Sequence, residues 1–238
     1  MVARYIVGRV ITIGPYRFSQ TDARRTIENF DALWPYFGAG RRGAAPELRR
    51  LYPSLTGDPA VDLPAVWQAL LSVGPALRAA GQLPARGEGR VAAVHRGTGG
   101  VPKHGVDAVD VDWRGVVGDR QRVRVHHGRP WQALCLWSAE VIDRFAAEGH
   151  RIAPGCAGEN LTLRDLDWNQ VRPGVRLRVG SAECDVTAFA LPCRSNARWF
   201  RNGDFRVMHH DRGPVSRVYA VVTKPGRIAA GDLAILEP

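Results

Sequence analysis

From Arg90 onward the chain is a succession of short apolar runs, each broken after a few residues by glycine, proline or aspartate. Several runs alternate apolar with polar side chains, which is the period of a strand that turns one face to a core. Many short strands joined by tight turns favour a sheet that closes into a barrel. We therefore predict a β-rich α+β fold, in which a mainly antiparallel β-barrel carries a few helices on its outside. The predicted strands are residues 91–94, 107–112, 122–125, 133–137, 175–179, 183–187, 218–223 and 233–236.

One outer helix is predicted directly after the strand at 133–137. Ser138 is a favoured N-cap residue, and Gly149 is a favoured stop. Between them Val141, Ile142 and Phe145 recur at helical spacing, so we expect these three side chains to face the barrel.

The first 87 residues are predicted to form a partly helical extension whose role the sequence leaves open. A β-branched run that ends at Gly14-Pro15 is typical of a strand followed by a turn. One helix is expected to begin at Thr21-Asp22, and a second at Asp62-Leu63-Pro64, where an N-cap residue precedes a first-turn proline. We therefore divide the chain into an extension, residues 1–87, and a barrel domain, residues 88–238, which the extension could cap.

A glycine-rich stretch in the extension, Gly38-Ala39-Gly40-Arg41-Arg42-Gly43, satisfies the G-x-G-x-x-G pattern of dinucleotide-binding loops. That pattern has meaning only between a buried parallel strand and a helix. The residues before it contain Pro35 and are too few for such a strand, so a plain loop is the better interpretation.

The chain has a formal net charge of +10, from 33 lysines and arginines against 23 aspartates and glutamates. A surface of this charge attracts nucleic acid or phosphorylated ligands. The basic residues are spread along the chain, however, and no helix-turn-helix, zinc-finger or RNA-binding signature appears. We therefore expect no nucleic-acid partner.

Membrane association and disulfides are also not expected. No apolar run approaches the roughly 18 residues that a spanning helix needs. The four cysteines show no C-x-x-C spacing, which favours a reducing, cytoplasmic compartment.

Two polar motifs lie within the barrel segment: Gly158-Glu159-Asn160-Leu161-Thr162 and Leu191-Pro192-Cys193-Arg194. Pro192 fixes its own backbone angle and disfavours helix at Leu191, so we expect the thiol of Cys193 on a rigid turn at a strand end. A thiol held there suits a metal ligand or a nucleophile, since both act as the thiolate. A single cysteine is more often a small buried hydrophobe, so this motif alone decides nothing.

Three further motifs precede these two in the chain: Val101-Pro102-Lys103, Gly115-Val116-Val117-Gly118-Asp119-Arg120-Gln121 and His126-His127-Gly128. In order and rough spacing, the motifs resemble the MOSC domain family, named after the C-terminal domain of molybdenum cofactor sulfurase, and above all its small stand-alone bacterial members. The resemblance covers residues 88–238. It implies a mainly antiparallel barrel with a few outer helices, in agreement with the strand pattern.

The resemblance implies that the chain binds a molybdenum–molybdopterin cofactor, with Cys193 as a catalytic residue and the thiolate ligand of the metal. A soft thiolate suits a redox metal. Two further catalytic residues are implied: His127, or its neighbour His126, as a source of protons, and Glu159 as an acid in the pocket. Without the resemblance, Glu159 would be taken only as an acceptor that stabilises a turn.

Six residues are implied to bind the cofactor: Lys103, Asp119, Arg120, Asn160, Thr162 and Arg194. Lys103 and Arg120 would contact its anionic end, Lys103 as a point charge and Arg120 by a bidentate grip that Asp119 orients. Asn160 can both donate to and accept from the pterin ring. Arg194 would supply a positive neighbourhood for the thiolate.

The sequence departs from the family pattern in two places. Family members usually continue the histidine motif with Gly-Gly, where this chain has Gly128-Arg129. They often carry Pro-Arg upstream of the Pro-Cys pair, where this chain has Phe189-Ala190. Another arginine, such as Arg194 or Arg198, would have to replace the missing one. The pair His209-His210 shows no partner ligands in the sequence and is expected to be exposed.

The function that the resemblance implies is a molybdenum-dependent oxidoreductase that reduces small N-hydroxylated or N-oxygenated compounds. No flavin, ferredoxin or P-loop motif is recognisable, so the electrons would come from a separate reductase. The alternative is a carrier of persulfide sulfur, or of the cofactor itself, that uses Cys193 without turnover. The family is also associated with pyridoxal phosphate binding, but the chain has no recognisable aminotransferase-like domain with a pyridoxal lysine.

Overall fold

The N-terminal part of the chain is partly helical. The computed structural model describes residues 10–14, 16–33, 50–122, 127 and 129–237. The glycine-rich stretch at 38–43, His126 and most of the strand expected at 122–125 lie outside the described residues. In chain order the extension contributes a hairpin of β1 (Ile11–Ile13) and β2 (Tyr16–Phe18), then helices α1 (Gln20–Leu33), α2 (Pro59–Leu71) and α3 (Val73–Ala79).

The rest of the chain consists mainly of β-strands with one longer helix. In chain order the elements are β3 (Gly87–Arg96), β4 (His104–Val106), β5 (Ala108–Asp112), β6 (Gly115–Val116), β7 (Leu134–Ser138), α4 (Ala139–Ala147), β8 (Leu161–Arg164), β9 (Arg176–Val179), β10 (Ala182–Phe189), β11 (Val218–Lys224), β12 (Gly226–Ala229) and β13 (Leu233–Glu237). The connection from β10 to β11 contains the short 3₁₀ helices Arg194–Trp199, Arg201–Gly203, Phe205–Met208 and His210–Arg212.

Among the described residues, seven strands close into a barrel in the order β13-β9-β10-β11-β7-β8-β3, with β3 pairing back to β13. The β7–β8 pair is parallel, and the other six pairings in the ring are antiparallel. The parallel pair has a simple cause: α4 crosses over between β7 and β8, and such a crossover returns the chain in the same direction. The predicted β-rich α+β barrel is confirmed, with a mixed rather than a purely antiparallel sheet.

The helix predicted after β7 is confirmed. The Ser138 hydroxyl accepts a hydrogen bond from the Val141 N–H at 3.2 Å, which caps the first turn of α4. Ile142 and Phe145 are buried against the barrel, as expected from their spacing. The amphipathic helix thereby covers the parallel part of the sheet.

A small second sheet, in the order β12-β5-β6, carries the segment that contains Asp119 and Arg120. Gly115 makes this sheet pack closely on the chain just before β7. Its φ is +103°, and a Cβ on this residue would lie 2.0 Å from the carbonyl oxygen of Ala133. Only glycine fits this position, because a side chain would meet both the strained backbone angle and the carbonyl.

The extension packs on the barrel around Trp131. This indole is fully buried, with its ring centroid 5.7 Å from that of Phe30 and 6.2 Å from that of Trp67. Its Nε1–H donates to Asn29 Oδ1 at 2.9 Å. Arg129 extends the contact by donating to the Thr26 hydroxyl at 3.1 Å. The helices of the extension therefore pack on the barrel. The division of the chain into two domains between residues 87 and 88 stays a prediction.

The predicted start of the second helix is wrong by one turn. Asp58, not Asp62, is the N-cap, since its carboxylate accepts from the Ala60 N–H at 2.9 Å and Pro59 occupies the first helical position. Asp62 lies inside the first turn and accepts from the Thr56 N–H at 2.8 Å. The helix therefore begins one turn before the predicted residue, and Asp62 ties its first turn to the preceding loop.

By length and composition alone, one described helical stretch, Pro59–Ala79, is long and apolar enough to cross a membrane. A helix that packs on a protein core passes the same test, and Leu63, Val66 and Leu70 are buried in the cluster that contains Trp131. The packing accounts for the apolar composition of this stretch.

Candidate functional site

A pocket of about 380 Å³ opens where the connections between barrel strands converge. Its volume lies at the lower end of the roughly 300–1,000 Å³ typical of small-molecule sites. Most of the separate motifs noted in the sequence reach its wall. The lining residues are Gly99, Gly100, Val101, Lys103, Arg120, Gln121, Arg122, His127, Gln132, Cys135, Ala157, Gly158, Asn160, Leu191, Cys193, Ser195, Asn196, Arg198, Arg217 and Tyr219.

Cys193 lies at the rim of this pocket and is exposed. The residue is extended, with φ −112° and ψ 142°, and acts as the N-cap of the 3₁₀ helix Arg194–Trp199. Its Sγ is 2.9 Å from the hydroxyl oxygen of Ser195. The expected turn after Pro192 is therefore present, and the thiol is available to a metal or to a small molecule.

A buried ion pair holds Lys103 in the pocket wall. Its Nζ lies 2.6 Å from Asp119 Oδ2, and the two side chains are only 8% and 2% exposed. Asp119 also accepts from the Gly97 N–H at 2.7 Å and from Asn160 Nδ2 at 3.2 Å. The aspartate therefore orients Lys103 and Asn160, whereas it was predicted to orient Arg120.

Asn160 joins three strands at the back of the pocket. Its side-chain oxygen accepts from the Cys135 N–H at 3.1 Å, and its backbone N–H donates to the Cys135 carbonyl at 2.7 Å. Its backbone carbonyl accepts from the His95 N–H at 2.7 Å. The amide is buried yet lines the pocket, so it combines a structural role with a face toward the ligand.

Glu159 and Thr162 do not line the pocket, although they belong to the same motif as Asn160. The Glu159 carboxylate is fully buried and accepts from the Gly155 N–H at 2.5 Å, with the Thr162 hydroxyl 3.4 Å away. Burial raises the pKa of Glu159, which the Gly155 hydrogen bond partly opposes. Both side chains therefore hold the loop before β8, and their predicted contacts with cofactor or substrate stay predictions.

Arg120 and His127 line the pocket, whereas Arg194 is not among its lining residues. His127 Nδ1 is 3.5 Å from the hydroxyl of Tyr219, a residue that the sequence did not single out. Arg194 is exposed and is absent from the described pocket wall, although it neighbours Cys193 in the sequence. Arg198 does line the pocket, where its guanidinium donates to the Val101 carbonyl.

Three important residues were missed by the sequence motifs: Cys135, Arg217 and Tyr219. The antiparallel pairing of β7 with β11 places Tyr219 opposite Cys135. Burial raises the pKa of the Cys135 thiol and of the Tyr219 hydroxyl. For the Cys135 thiol, the charge of Arg217 opposes that effect. Because strand register alone brings them together, no local motif could have found them.

His95 lies behind the pocket and is kept neutral. Burial, and then the charge of Lys103, lower its pKa from 6.5 to about 4. His209 and His210, expected to be exposed, are instead half-buried and stacked at 4.3 Å, with His209 Nδ1 2.9 Å from Asp211 Oδ2.

The residues of the pocket fit an anionic pterin cofactor with a thiolate-bound metal. Cys193 offers the soft donor, and Arg120, Arg198 and Arg217 offer positive charge. The side-chain oxygens of Gln132 and Asn196 are buried at the wall with no hydrogen-bond partner among the described residues, so each can accept from a ligand N–H. Although the chain lacks the Pro-Arg of the family pattern, other arginines line the pocket and supply positive charge.

Comparison with solved structures supports the same fold. The YUAD protein from Bacillus subtilis matches with a TM-score of 0.54 and 16% identity, over 63% of this chain and 96% of that chain. YiiM from Geobacillus stearothermophilus matches with a TM-score of 0.52 and 22% identity, over 63% of this chain and 75% of that chain. YiiM from Escherichia coli has 26% identity over 65% of this chain and 71% of that chain, with a TM-score of 0.49. The first two show that the fold is shared. No curated protein matches the chain.

Residues 123–234 match the family model described as MOSC domain. This match covers the chain from the histidine motif to the last strand of the barrel, including Asn160, Cys193 and Arg217. On this match, residues 123–234 are a MOSC domain, a domain associated with molybdenum cofactor binding.

Proposed function

We propose that this chain binds a molybdenum cofactor in the Cys193 pocket and reduces N-hydroxylated or other N-oxygenated compounds. The observation that carries the proposal is the meeting of one exposed thiol with several cationic side chains in a single pocket. These groups come from motifs far apart in the sequence, and a pterin dithiolene with a phosphate tail needs this combination of soft donor and positive charge.

Within this proposal each pocket residue has a defined role. Cys193 holds the metal as a thiolate, while Lys103 and Arg120 bind the anionic end of the cofactor. Asn160 presents its amide to the pterin. When bound, the cofactor supplies the two-electron reduction of an N–O bond.

The reduction of an N-hydroxyl group consumes two electrons and two protons and releases water, so the pocket needs a proton donor. His127 is our candidate for this task, since it lines the pocket and imidazole is the commonest general acid or base in enzymes. Tyr219, 3.5 Å from its Nδ1, orients the ring and keeps its own proton because burial raises its pKa. Glu159 is sealed behind the loop and would act through the geometry of Asn160.

The remaining parts of the proposal concern the setting of the reaction. The electrons come from a separate reductase, and the substrate is a small molecule. All four cysteines are free, which supports a reducing, cytoplasmic location.

The test begins with expression in a host that makes molybdopterin, followed by measurement of molybdenum and pterin per chain. Activity is then assayed on an N-hydroxylated base with a chemically reduced dye, so that the unidentified reductase is not needed. Cys193→Ser should abolish metal retention. Cys156→Ser is the matched control, because this cysteine is half-buried and lies outside the pocket wall, and it should load normally.

Purified protein without metal and pterin would refute the proposal. Cofactor without turnover, together with a reversible sulfur adduct on Cys193 seen by mass spectrometry, would instead favour the carrier function.

A further inference from the structure

Arg217 lies at the floor of the pocket and connects the loop before β8 with the turn that presents Cys193. Its Nη1 donates to the carbonyl oxygen of Ala157, next to the Glu159-Asn160 motif. Its Nη2 donates to the carbonyl oxygen of Leu191 at 3.4 Å, on the turn that presents Cys193. Its Nε atom is buried and has no hydrogen-bond partner among the described residues.

The charge of Arg217 is not balanced by a neighbouring carboxylate. Within the described part of the chain, no carboxylate oxygen forms an ion pair with its guanidinium, although the residue is only 6% exposed. Lys103, another cation of the pocket wall withdrawn from solvent, is already paired with Asp119 at 2.6 Å. Arg120 and Arg198 are exposed, so water solvates their charges.

A buried guanidinium without a counter-ion carries a large desolvation penalty, which falls when an anion binds beside it. The two carbonyl contacts fix the guanidinium in place, and the unpartnered Nε–H remains as a donor. The buried carboxylate of Glu159 forms no ion pair with Arg217 among the described residues, and burial raises its pKa.

We propose that Arg217 is a further anion-binding residue of the pocket, which holds a negatively charged group of the ligand beside Cys193. The identity of that ligand rests on the proposed function, in which the cofactor is the anion. The need for an anion rests only on the buried, unpaired charge. A carboxylate, a sulfur oxyanion or a phosphate group has the required chemistry.

The test uses full-length protein made in a host without molybdopterin, so that the result does not depend on cofactor loading. The rate constant for alkylation of Cys193 is measured with iodoacetate, an anion, and with iodoacetamide, its neutral analogue, by mass spectrometry of the Cys193 peptide. Both reagents attack the same thiolate, so the ratio of the two rate constants cancels any change in the reactivity of the thiol itself. The ratio reports attraction of an anion to the site.

We expect Arg217→Met to lower the ratio about fivefold or more, since the charge that is removed has no counter-ion and lies in the same pocket as the thiol. Most of this difference should persist in roughly 1 M KCl, where the Debye length is about 3 Å and exposed charges lose their influence. Arg217→Lys should keep most of the ratio. Arg212→Met is the matched control: Arg212 is exposed and lines an open cleft on the other side of Leu191 and Pro192, so its removal should change the ratio less than twofold.

An unchanged ratio in folded Arg217→Met would overturn the proposal. If that variant does not melt cooperatively, the wild-type protein decides: sulfate, added at constant ionic strength, should protect Cys193 from iodoacetamide, and absence of protection overturns the proposal. Failure to load molybdenum in the earlier test would leave this ratio unaffected, so the two proposals fail independently.

Discussion

Replacing Asp119 with alanine is predicted to destabilise the protein by about 3–5 kcal/mol, the usual effect of removing one partner from a buried ion pair. The structure gives the reason. Lys103 and Asp119 are 8% and 2% exposed with their charged atoms 2.6 Å apart, so the variant leaves a buried ammonium without its counter-ion. The Gly97 N–H and the Asn160 amide lose an acceptor at the same time.

The assay is urea unfolding at neutral pH, with thermal melting as a second measurement. For a chain of this size, a loss of about 4 kcal/mol corresponds to a fall of about 8–16 °C in Tm. Asp143→Ala is the control, because it removes an ion pair of similar length, 2.7 Å from Arg164, whose side chains are 60% and 35% exposed. That change should be within about 1 kcal/mol of wild type.

A second variant separates charge from packing. Adding Lys103→Met to Asp119→Ala removes the stranded charge, so the double variant should recover part of the lost stability. The reasoning is refuted if Asp119→Ala is no more destabilising than Asp143→Ala, or if the double variant is less stable than the sum of the two single changes.

Three further predictions concern other parts of the molecule. Phe30→Ala, which empties the contact with Trp131 at 5.7 Å, should cost about 3–5 kcal/mol in chemical unfolding, and a neutral result would mean that the extension does not pack on the barrel. Gly115→Ala should destabilise by more than about 1 kcal/mol, because the new Cβ would lie 2.0 Å from a carbonyl oxygen at φ +103°, whereas Gly105→Ala, with no atom within 4 Å, should stay within about 0.5 kcal/mol. His95 has a folded pKa of about 4 against 6.5 in the unfolded chain, so its contribution to stability is complete above pH 6.5 and is lost as the pH falls toward 4. His95→Gln should therefore flatten the pH dependence of unfolding in that window, and an unchanged slope would contradict the assignment.

The strands that alternate in hydrophobicity could be predicted closely. The runs at 133–137, 175–179 and 218–223 correspond to β7, β9 and β11, with ends shifted by one residue. Strand β8 was missed because its first residues belong to the polar motif around Asn160, which suggested a loop. Only its pairing with β3 and β7 makes Leu161–Arg164 a strand, and pairing partners are remote in sequence.

The site was predictable to the extent that its residues lie in local motifs. Lys103, Arg120, His127, Asn160 and Cys193 do meet in one pocket. Arg194 does not line the described pocket wall, because sequence adjacency to Cys193 does not set side-chain direction on a 3₁₀ turn. Its contact with the cofactor stays a prediction. Arg217 is 24 residues further along than Cys193 and lines the same pocket, because it directly precedes β11, which pairs with β7.

The burial of Trp131 beneath the extension has a practical consequence for anyone who trims this chain. Gln132 follows directly and presents its amide to the pocket, so a fragment reduced to the barrel would uncover a large indole and loosen the backbone next to the ligand. Such a fragment should aggregate or bind ligand poorly, even though it retains every strand of the barrel and every motif of the site. Crystallisation or engineering work is better begun from the whole chain.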